Sequence, residues 1–519
     1  MKSRFKSGLL FLLVGCIFVI PPMKLSGSDE NISPESWVYS ALRTFELIGL
    51  VHLSPEMPYS RNKIEFYLDR ILQNLKDSDS RLSPRQNFLL RRLRQEFQGK
   101  SHRPRDREDA PVWLYQKGRR FLSFDMSAGM SLRKRIEYRK GELDGLLSPD
   151  ILIDSGGGFT YETVYKLRLR PEWNNNVTHS RVNAREKSFR GLTSEFERGY
   201  ISVHRNWWGV TLGRDYIHWG NSRDDGLILS SGAGPLDHLS AYMELGVFKL
   251  SLLHSILDSD AVDPRKLSGH RLSVKLPGDI YIGISETVVY SGRGLDFAYL
   301  LPAGSYYANQ YNENENKCNN ILWGVDWKVP ACRGLLFYGE FLVDDFQYEN
   351  RDTAPDKIAL NLTAEALLVA GGHDIEALFD YTYIGIYTYS HTGSLTVYTT
   401  GSGDDTGTGR IIGSYLGPDA DRWRFRFSAA LSPNIVMKLN GSYSRYGEGN
   451  DLRPWSAEEH EPDLPFPSGL VTEEKEISIS ASFDFTGGSI LYAGTGMRWL
   501  DSDLSESEGF AYLKLLLDI

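Results

Sequence analysis

The feature that most constrains the fold is an alternation of apolar and polar residues with a period of two, which runs from Phe121 to the carboxyl terminus. One run has its apolar residues at Leu122, Phe124, Met126, Ala128, Met130 and Leu132. The last run places apolar residues at every second position from Ala511 to Ile519. This period predicts β-strands with one apolar face. A soluble sandwich alternates in the same way, so the period by itself does not choose between a sandwich and a membrane barrel.

Three further features favour a transmembrane barrel. Many runs have ten or more residues, which is enough to cross a bilayer at a tilt. Short connections such as 277–279 and 433–434 alternate with long polar ones such as 291–319 and 389–420. The chain ends on a strand, which can close on the first strand and leave no edge. We therefore predict a mostly β fold, a transmembrane antiparallel β-barrel of about 18 strands with short periplasmic turns and long outer loops.

The predicted strands lie near residues 120–137, 146–154, 159–173, 193–205, 207–214, 238–246, 248–258, 268–276, 279–290, 320–329, 334–346, 357–370, 374–388, 421–432, 434–446, 475–486, 489–500 and 507–519. The signals at 146–154 and 207–214 are the weakest. An even count is typical of bacterial single-chain barrels.

Composition excludes two classes of protein. The mean hydropathy is −0.34 and no second apolar run approaches 20 residues, so the chain is not a helical membrane protein with several spans. The net charge of −9 argues against nucleic acid as a partner.

The amino-terminal region predicts an export signal and a helical segment. Basic residues precede the apolar run Leu9 to Ile20, which indicates a signal peptide at 1–27, and the segment around Cys16 reads as a chance match to a lipoprotein box. Residues 33–98 contain three amphipathic stretches, so 28–110 is predicted as a periplasmic helical bundle and 111–519 as the barrel. The bundle is either an independent small domain or a plug for the barrel.

The interior charges and the cysteines carry structural predictions. The rows Lys166, Arg168, Arg170 and Arg422, Arg424, Arg426 should point into the lumen together with Asp326, Glu340, Glu376 and Asp380. Cross-strand ion pairs in a filled interior are favoured over a selectivity lining. Cys318 and Cys332 flank one strand of about nine residues, about 30 Å long, so both are predicted as free thiols.

No motif of a catalytic or metal site is found in the sequence. Asp344 with Asp345, and Asp501 with Asp503, are interpreted as solvated strand ends, and 401–405 as a flexible outer loop. We therefore predict no catalytic residue, no metal ligand and no cofactor.

The outer segment from Tyr306 to Asn314 is rich in tyrosine and amide side chains. Such a segment suits a glycan surface, because aromatic rings stack on sugars and amides bind hydroxyl groups. An interfacial tyrosine girdle or a folded-in loop fits that segment equally well. A second outer feature runs from Gly213 to Gly220 and continues at Leu227 to Ser230. Its Arg214 pairs either with an acidic sugar or, as is commoner, with a lumen carboxylate. The candidate polysaccharide-binding residues are Arg214, Trp219, Arg293, Tyr306, Tyr307, Gln310, Tyr311 and Asn312.

Four segments carry a family resemblance: SALRTFELIGLVH (40–52), LGRDYIHWGNSRDDGLILSSGAGPLDHL (212–239), the stretch from HRLSVKLPGD to ILWGVDWKV (270–329) and LLFYGEFLVDDF (335–346). In these segments the chain resembles the capsule assembly protein Wzi family. The resemblance implies an eighteen-stranded outer-membrane barrel, plugged by a periplasmic helical bundle, with a lectin-like role and no catalytic residues.

The expected function is a non-enzymatic protein that binds and anchors capsular or other exported polysaccharide at the surface of a Gram-negative-type bacterium. Its expected partners are that polysaccharide and outer-membrane lipid, and it is expected to be a monomer. The alternatives are a channel for sugars or other solutes and an enzyme acting on lipid or glycan.

Overall fold

The computed structural model describes residues 30–518 apart from gaps at 79–80, 99–112, 118–119, 138–142, 161–162, 174–191, 206, 223–224, 259–263, 303, 313–318, 347–354, 392–393, 401–408, 453, 457–463, 486–489 and 503–505. For 113–196, 311–312 and 514–518 it describes the backbone alone. The predicted signal peptide 1–27, Cys318, the loop 401–405 and Asp503 lie outside the described residues. The side chains of Lys166, Arg168 and Arg170 do so too.

Three helices come first: α1 (Trp37–Leu47), α2 (Arg61–Asp77) and α3 (Pro84–Gln98). Ser36 and Ser60 cap α1 and α2, because each hydroxyl accepts a hydrogen bond from a backbone N–H of the first turn. Their apolar faces meet in one core, which includes Leu42, Phe45 and Leu93. Residues 30–98 are called the bundle below. Within the described part of the chain, no helix combines the length and the apolar character needed to span a bilayer.

The strands are β1 (Glu56–Met57), β2 (Trp113–Lys117), β3 (Arg120–Glu137), β4 (Leu143–Thr160), β5 (Thr163–Trp173), β6 (Leu192–His204), β7 (Trp208–Asp215), β8 (His218–Trp219), β9 (Leu236–Leu245), β10 (Phe248–Ile256), β11 (Lys266–Lys275), β12 (Tyr281–Tyr290), β13 (Asn319–Cys332), β14 (Leu335–Asp345), β15 (Lys357–Ala370), β16 (His373–Ile384), β17 (Thr399–Thr400), β18 (Arg410–Ile411), β19 (Ala420–Ser432), β20 (Ile435–Tyr446), β21 (Thr472–Asp484), β22 (Ile490–Asp501) and β23 (Glu506–Asp518). A fourth helix, α4 (Tyr306–Asn312), lies between β12 and β13.

Eighteen of these strands form one closed antiparallel barrel: β3 to β7, β9 to β16 and β19 to β23. The last strand closes on the first, with Leu513 opposite Leu132. The prediction of about 18 strands is therefore confirmed. The weak signal at 146–154 belongs to the long strand β4, and the signal at 207–214 is strand β7.

Alternate residues of each strand face the lumen or the outer wall. On β11 to β14 the lumen rows hold buried polar residues such as Arg271, Asp326 and Glu340, whereas the outward rows expose Leu272, Ile284, Val325 and similar side chains. This is the arrangement of a barrel with a lipid-facing wall.

Aromatic side chains mark one level of the outer wall. They lie two to four residues from the long-loop ends of their strands and are Trp323, Tyr381, Trp423, Tyr443 and Trp499. Such a girdle is typical of the membrane–water interface. This ring is called the upper girdle below.

Candidate functional site

The connection between β7 and β9, described at 216–222 and 225–235, enters the lumen and is called the inner loop. Its strand β8 pairs with β1 of the bundle, with Glu56 opposite Trp219 and Met57 opposite His218. The N–H of Gly220 also donates to the carbonyl of Pro55 at 3.1 Å. The inner loop and the bundle therefore meet inside the barrel.

A lumen carboxylate holds the inner loop in place. Glu340 on β14 accepts hydrogen bonds from the N–H groups of Ser222 at 3.0 Å and Leu227 at 2.7 Å. Gly220 has φ +118°, and a Cβ there would lie 2.3 Å from a Glu340 oxygen. Glycine is thus required both for the backbone conformation and for the close approach to Glu340.

A second connection, described at 385–391, 394–400 and 409–419 and called the mouth loop, covers the inner loop. The hydroxyls of Tyr389 and Tyr398 donate to the carbonyls of Leu227 and Ile228, each at 2.6 Å. The N–H of Ser230 donates to the carbonyl of Ile412 at 2.9 Å. The two loops interlock across the lumen above the bundle.

Asp225 is a charged link between the two loops. It accepts from the Ser414 hydroxyl and the Tyr415 N–H, and it pairs with Arg422 of β19 at 3.0 Å. Burial raises the pKa of Asp225 to about 6, although Arg422 and the hydrogen bonds oppose this rise.

The bundle plugs the barrel from the short-turn end. Lys328 of β13 donates to Glu46 at 2.7 Å and to the Leu53 carbonyl at 2.6 Å. Burial alone would raise the pKa of Glu46, but Lys328 and Arg43 outweigh it and lower the pKa to about 2. Of the two alternatives left open by the sequence, the structure shows the plug.

Several of the described lumen charges are paired, as predicted, whereas Glu340 is held by backbone N–H groups. Besides the Arg422 pair, Arg424 lies 3.4 Å from Asp380, and Arg426 donates to Asn440 at 3.3 Å. Asp326 pairs with Arg271, and Glu376 accepts from Thr44 of the bundle. These contacts fit a filled interior better than a selectivity lining.

A small cavity of about 90 Å³ remains between the bundle and the inner loop. Polar groups of Glu56, Lys63, Asp215 and Lys249 line it. Since a water molecule occupies about 30 Å³ of liquid, the cavity has room for a few waters and not for a polysaccharide chain.

The structure separates the predicted polysaccharide-binding residues. Trp219 is 2% exposed and lies in the inner loop, where its ring packs close to Gly269. Arg214 makes two hydrogen bonds to Asp237, at 2.5 and 2.7 Å. Both residues of that pair share the outward row of Leu212 and Leu239, so the favoured lumen carboxylate for Arg214 was wrong.

The tyrosine-rich segment lies on the outside of the barrel. The N–H groups of Tyr306 and Tyr307 donate to Glu286 at 2.9 and 3.0 Å, and the Trp323 indole donates to the same carboxylate at 2.9 Å. Glu286 and Trp323 are paired positions on outward rows of β12 and β13. The described residues 291–302 and 304–312, called the wall loop, therefore fold back over the outer wall.

The remaining predicted residues belong to the same loop. Tyr306 is 1% exposed, so a sugar would reach its ring only if the loop moved. Arg293 donates to Asn319 at 2.9 Å and lies against the rings of Tyr290 and Tyr299.

The other four candidate positions also lie in α4. Tyr307 and Gln310 are exposed. Tyr311 and Asn312 belong to α4, and their side chains lie outside the described residues.

Two other predictions have an outcome in the structure. Asp344 is buried and accepts from the Tyr389 N–H at 2.6 Å, so its interpretation as a solvated strand end was wrong. Cys332 has an exposed free thiol. In the part of the chain that is described, no cluster of three His, Cys, Asp or Glu residues could hold a metal ion.

Sequence reasoning missed the exposed aromatic residue at the mouth. The Tyr415 side chain belongs to the mouth loop and is 58% exposed, and its hydroxyl accepts from Arg422 at 2.5 Å. Its only sequence signal is an aromatic residue in a glycine-rich outer segment, which many loops share.

The family model described as capsule assembly protein Wzi matches residues 129–511. The chain belongs to the Wzi capsule assembly family. A solved structure of Wzi from Escherichia coli, described as a carbohydrate-binding β-barrel of the outer membrane involved in group 1 capsule assembly, is similar with a TM-score of 0.62 and 14% identity. That match covers 95% of this chain and 100% of the other.

Two Pseudomonas aeruginosa structures are more distant. OpdQ has a TM-score of 0.43 at 10% identity, covering 76% of this chain and 97% of the other. OccK11 has a TM-score of 0.42 at 10% identity, covering 76% and 95%. No curated protein matches the chain. Membership of the Wzi family and the barrel fold place the chain in the outer membrane of a Gram-negative bacterium.

Proposed function

We propose that this Wzi-family chain binds capsular or other exported polysaccharide and holds it at the cell surface without catalysing a reaction. The Escherichia coli relative is described as a carbohydrate-binding barrel, which supports the ligand class. The observation that carries the proposal is the interlocking of the inner loop and the mouth loop within the lumen. The long-loop end of the barrel, filled by these two loops, offers an outer surface on which a polymer can bind. The described loops leave no wide passage through which it could pass.

Tyr415 is the proposed centre of the binding surface. Its ring is exposed, while Arg422 donates to its hydroxyl and Asp225 accepts from its backbone N–H and pairs with Arg422. Aromatic rings stack on the apolar faces of sugars, and a ring that is already oriented loses little entropy on binding. The contact of one ring is weak, and repeated contacts along a polymer raise the overall affinity.

The experiment compares Tyr415→Ala with Leu470→Ala, a matched control that removes an apolar side chain 64% exposed in another outer loop. Loss of one aromatic contact should lower polysaccharide retention by cells about 2- to 10-fold. Tyr415→Phe should retain most of the binding because it keeps the ring. Wild-type retention by Tyr415→Ala, with the folded barrel present in the membrane, would overturn the proposed site.

The proposal extends to the parts of the chain and their assembly. Residues 1–27 act as the export signal, 28–110 form the periplasmic bundle and 111–519 the barrel, which works as a monomer with lipid around its wall. The leader composition and the apolar outward rows support this arrangement. A sugar channel would require the two loops and the bundle to leave the lumen.

A further inference from the structure

The wall loop descends the outside of the barrel. Its contact with Glu286 lies four residues below Tyr290, where β12 ends. At about 3.3 Å per residue this is roughly 13 Å along the strand, or about 10 Å of depth at a usual tilt of about 40°. The loop therefore reaches the upper girdle, where the Tyr307 ring lies 5.1 Å from that of Trp323.

The inner side of the wall loop is firmly docked. Tyr299 and Tyr306 are buried with Tyr290 and Val288 of the outer wall. The ring centres of Tyr290 and Tyr299 are 5.1 Å apart, and those of Tyr299 and Tyr306 are 5.2 Å apart. Glu286 adds hydrogen bonds at the start of α4, and His270 lies 3.2 Å from the same carboxylate. The polar groups of the wall are thus covered by the loop.

The opposite side of the wall loop is apolar and exposed. Phe297 is 67% exposed, and Leu295 and Leu301 are about half exposed, at 49% and 55%. Tyr299 between them points to the wall. Below the loop the outward rows of the barrel continue with Ile284, which is 60% exposed. The apolar surface of the loop is therefore continuous with the lipid-facing wall.

We propose that the wall loop is a lipid-binding element, which inserts Leu295, Phe297 and Leu301 into the outer leaflet. The start of α4 lies at the depth of the upper girdle, the exposed residues before it lie beside Tyr290 higher on the same outward row, and the rows below face lipid, so lipid is the occupant that fits this surface. The loop would fix the height and rotation of the barrel in the membrane. This role does not depend on polysaccharide binding.

The test measures the surroundings of Phe297 by spin labelling. All three native cysteines are replaced by serine, and Phe297→Cys is labelled in the full-length barrel in phosphatidylcholine vesicles. Power saturation then compares collisions with oxygen, which concentrates in lipid, and with a nickel chelate, which stays in water. Ile284→Cys is the lipid-facing control, and Leu470→Cys is the matched control on an outer loop.

The expected result is a high ratio of oxygen to nickel accessibility at Phe297, close to that of Ile284 and several-fold above that of Leu470. A ratio like that of Leu470 would mean a hydrated loop and would overturn the proposal. Low accessibility to both reagents would indicate a second copy or a protein partner over the loop and would also overturn it. Heat-modifiability on a gel checks that each labelled barrel is folded.

Glu286→Ala tests how the loop is held. The change removes the acceptor for Tyr306, Tyr307 and Trp323. Nickel accessibility at position 297 should then rise at least twofold, while that at 284 stays constant. An unchanged value at position 297 would contradict the docking by Glu286.

Discussion

At the scale of single residues, buried charges connect the bundle and the loops to the barrel. Lys328 and Glu46 are both almost fully buried, at 2.7 Å from each other, and the Lys328 ammonium also binds the Leu53 carbonyl. Glu46 also accepts from Arg43, so removing Lys328 leaves Glu46 with one cation instead of two, and removing Glu46 leaves Lys328 with the Leu53 carbonyl. Losing a charged partner in a place with little water is destabilising, so the pair contributes to holding the bundle in the barrel.

Glu46→Gln and Lys328→Met should each weaken docking of the bundle by about 1–3 kcal/mol, since Arg43 and the Leu53 carbonyl remain as partners, and the double variant by clearly less than the sum. Hydrogen exchange of residues 37–53 in detergent measures this docking. Because the folded pKa of Glu46 is about 2, below its ordinary 4.5, its contribution is present above pH 4.5 and is lost as the pH falls through about 2. Additive effects of the two single changes would contradict the pairing.

Asp225 gives the opposite pH dependence. Its folded pKa of about 6 lies above its ordinary 3.8, so the stability it contributes is complete below pH 3.8 and is lost as the pH rises through about 6. The difference between these two pKa values corresponds to about 3 kcal/mol in the free energy of unfolding. Compared with Asp225→Asn, the wild-type protein should lose thermal stability between pH 4 and pH 8. Parallel melting curves of the two proteins over this range would show that Asp225 does not titrate in this way.

At the scale of elements, strands and loops differ in what the sequence reveals. Strands such as β13 were predictable because their period is local. The inner loop was not, because Glu340, which holds Ser222, lies 118 residues away in the chain. The tyrosines of the wall loop suit a glycan surface and a girdle alike, since both need a ring with one polar edge. Tyr415 was missed because its position is fixed by contacts with Arg422 of β19 and Asp225 of the inner loop, which the local sequence does not reveal.

The pairing of β1 with β8 can be tested by cross-linking. Met57 and His218 are opposite residues, and such residues have Cβ atoms about 4.5–5.5 Å apart. Met57→Cys with His218→Cys, without the native cysteines, should cross-link through a short thiol reagent in the folded protein. Met57→Cys with Leu470→Cys is the control and should not cross-link. Equal yields for the two pairs would contradict the meeting of the inner loop and the bundle.

At the scale of the whole molecule, the described residues place three separate parts of the chain in the lumen: the bundle, the inner loop and the mouth loop. The fold class and the presence of a plug followed from the strand period and the helical start. The closure by the two loops did not, because it depends on contacts between residues far apart in the chain, such as Tyr389 and Leu227, which are 162 residues apart.

Ion conductance in planar bilayers tests this closure. The intact protein should show no steady current, and removal of 28–110 alone should leave conductance low because the inner loop and the mouth loop still interlock. Removal of 28–110 together with a shortened inner loop should open a stable conductance. A steady porin-like current from the intact protein would contradict the account and favour the channel alternative.

The most direct test of the central claim is the binding of polysaccharide purified from the producing strain to the protein in phosphatidylcholine nanodiscs, followed by biolayer interferometry. Heat-modifiability on a gel confirms that the protein is folded. We expect saturable binding that falls about 2- to 10-fold in Tyr415→Ala and is unchanged in Leu470→Ala. Absence of binding by the folded wild-type protein would contradict the claim that this Wzi-family barrel holds polysaccharide at the cell surface.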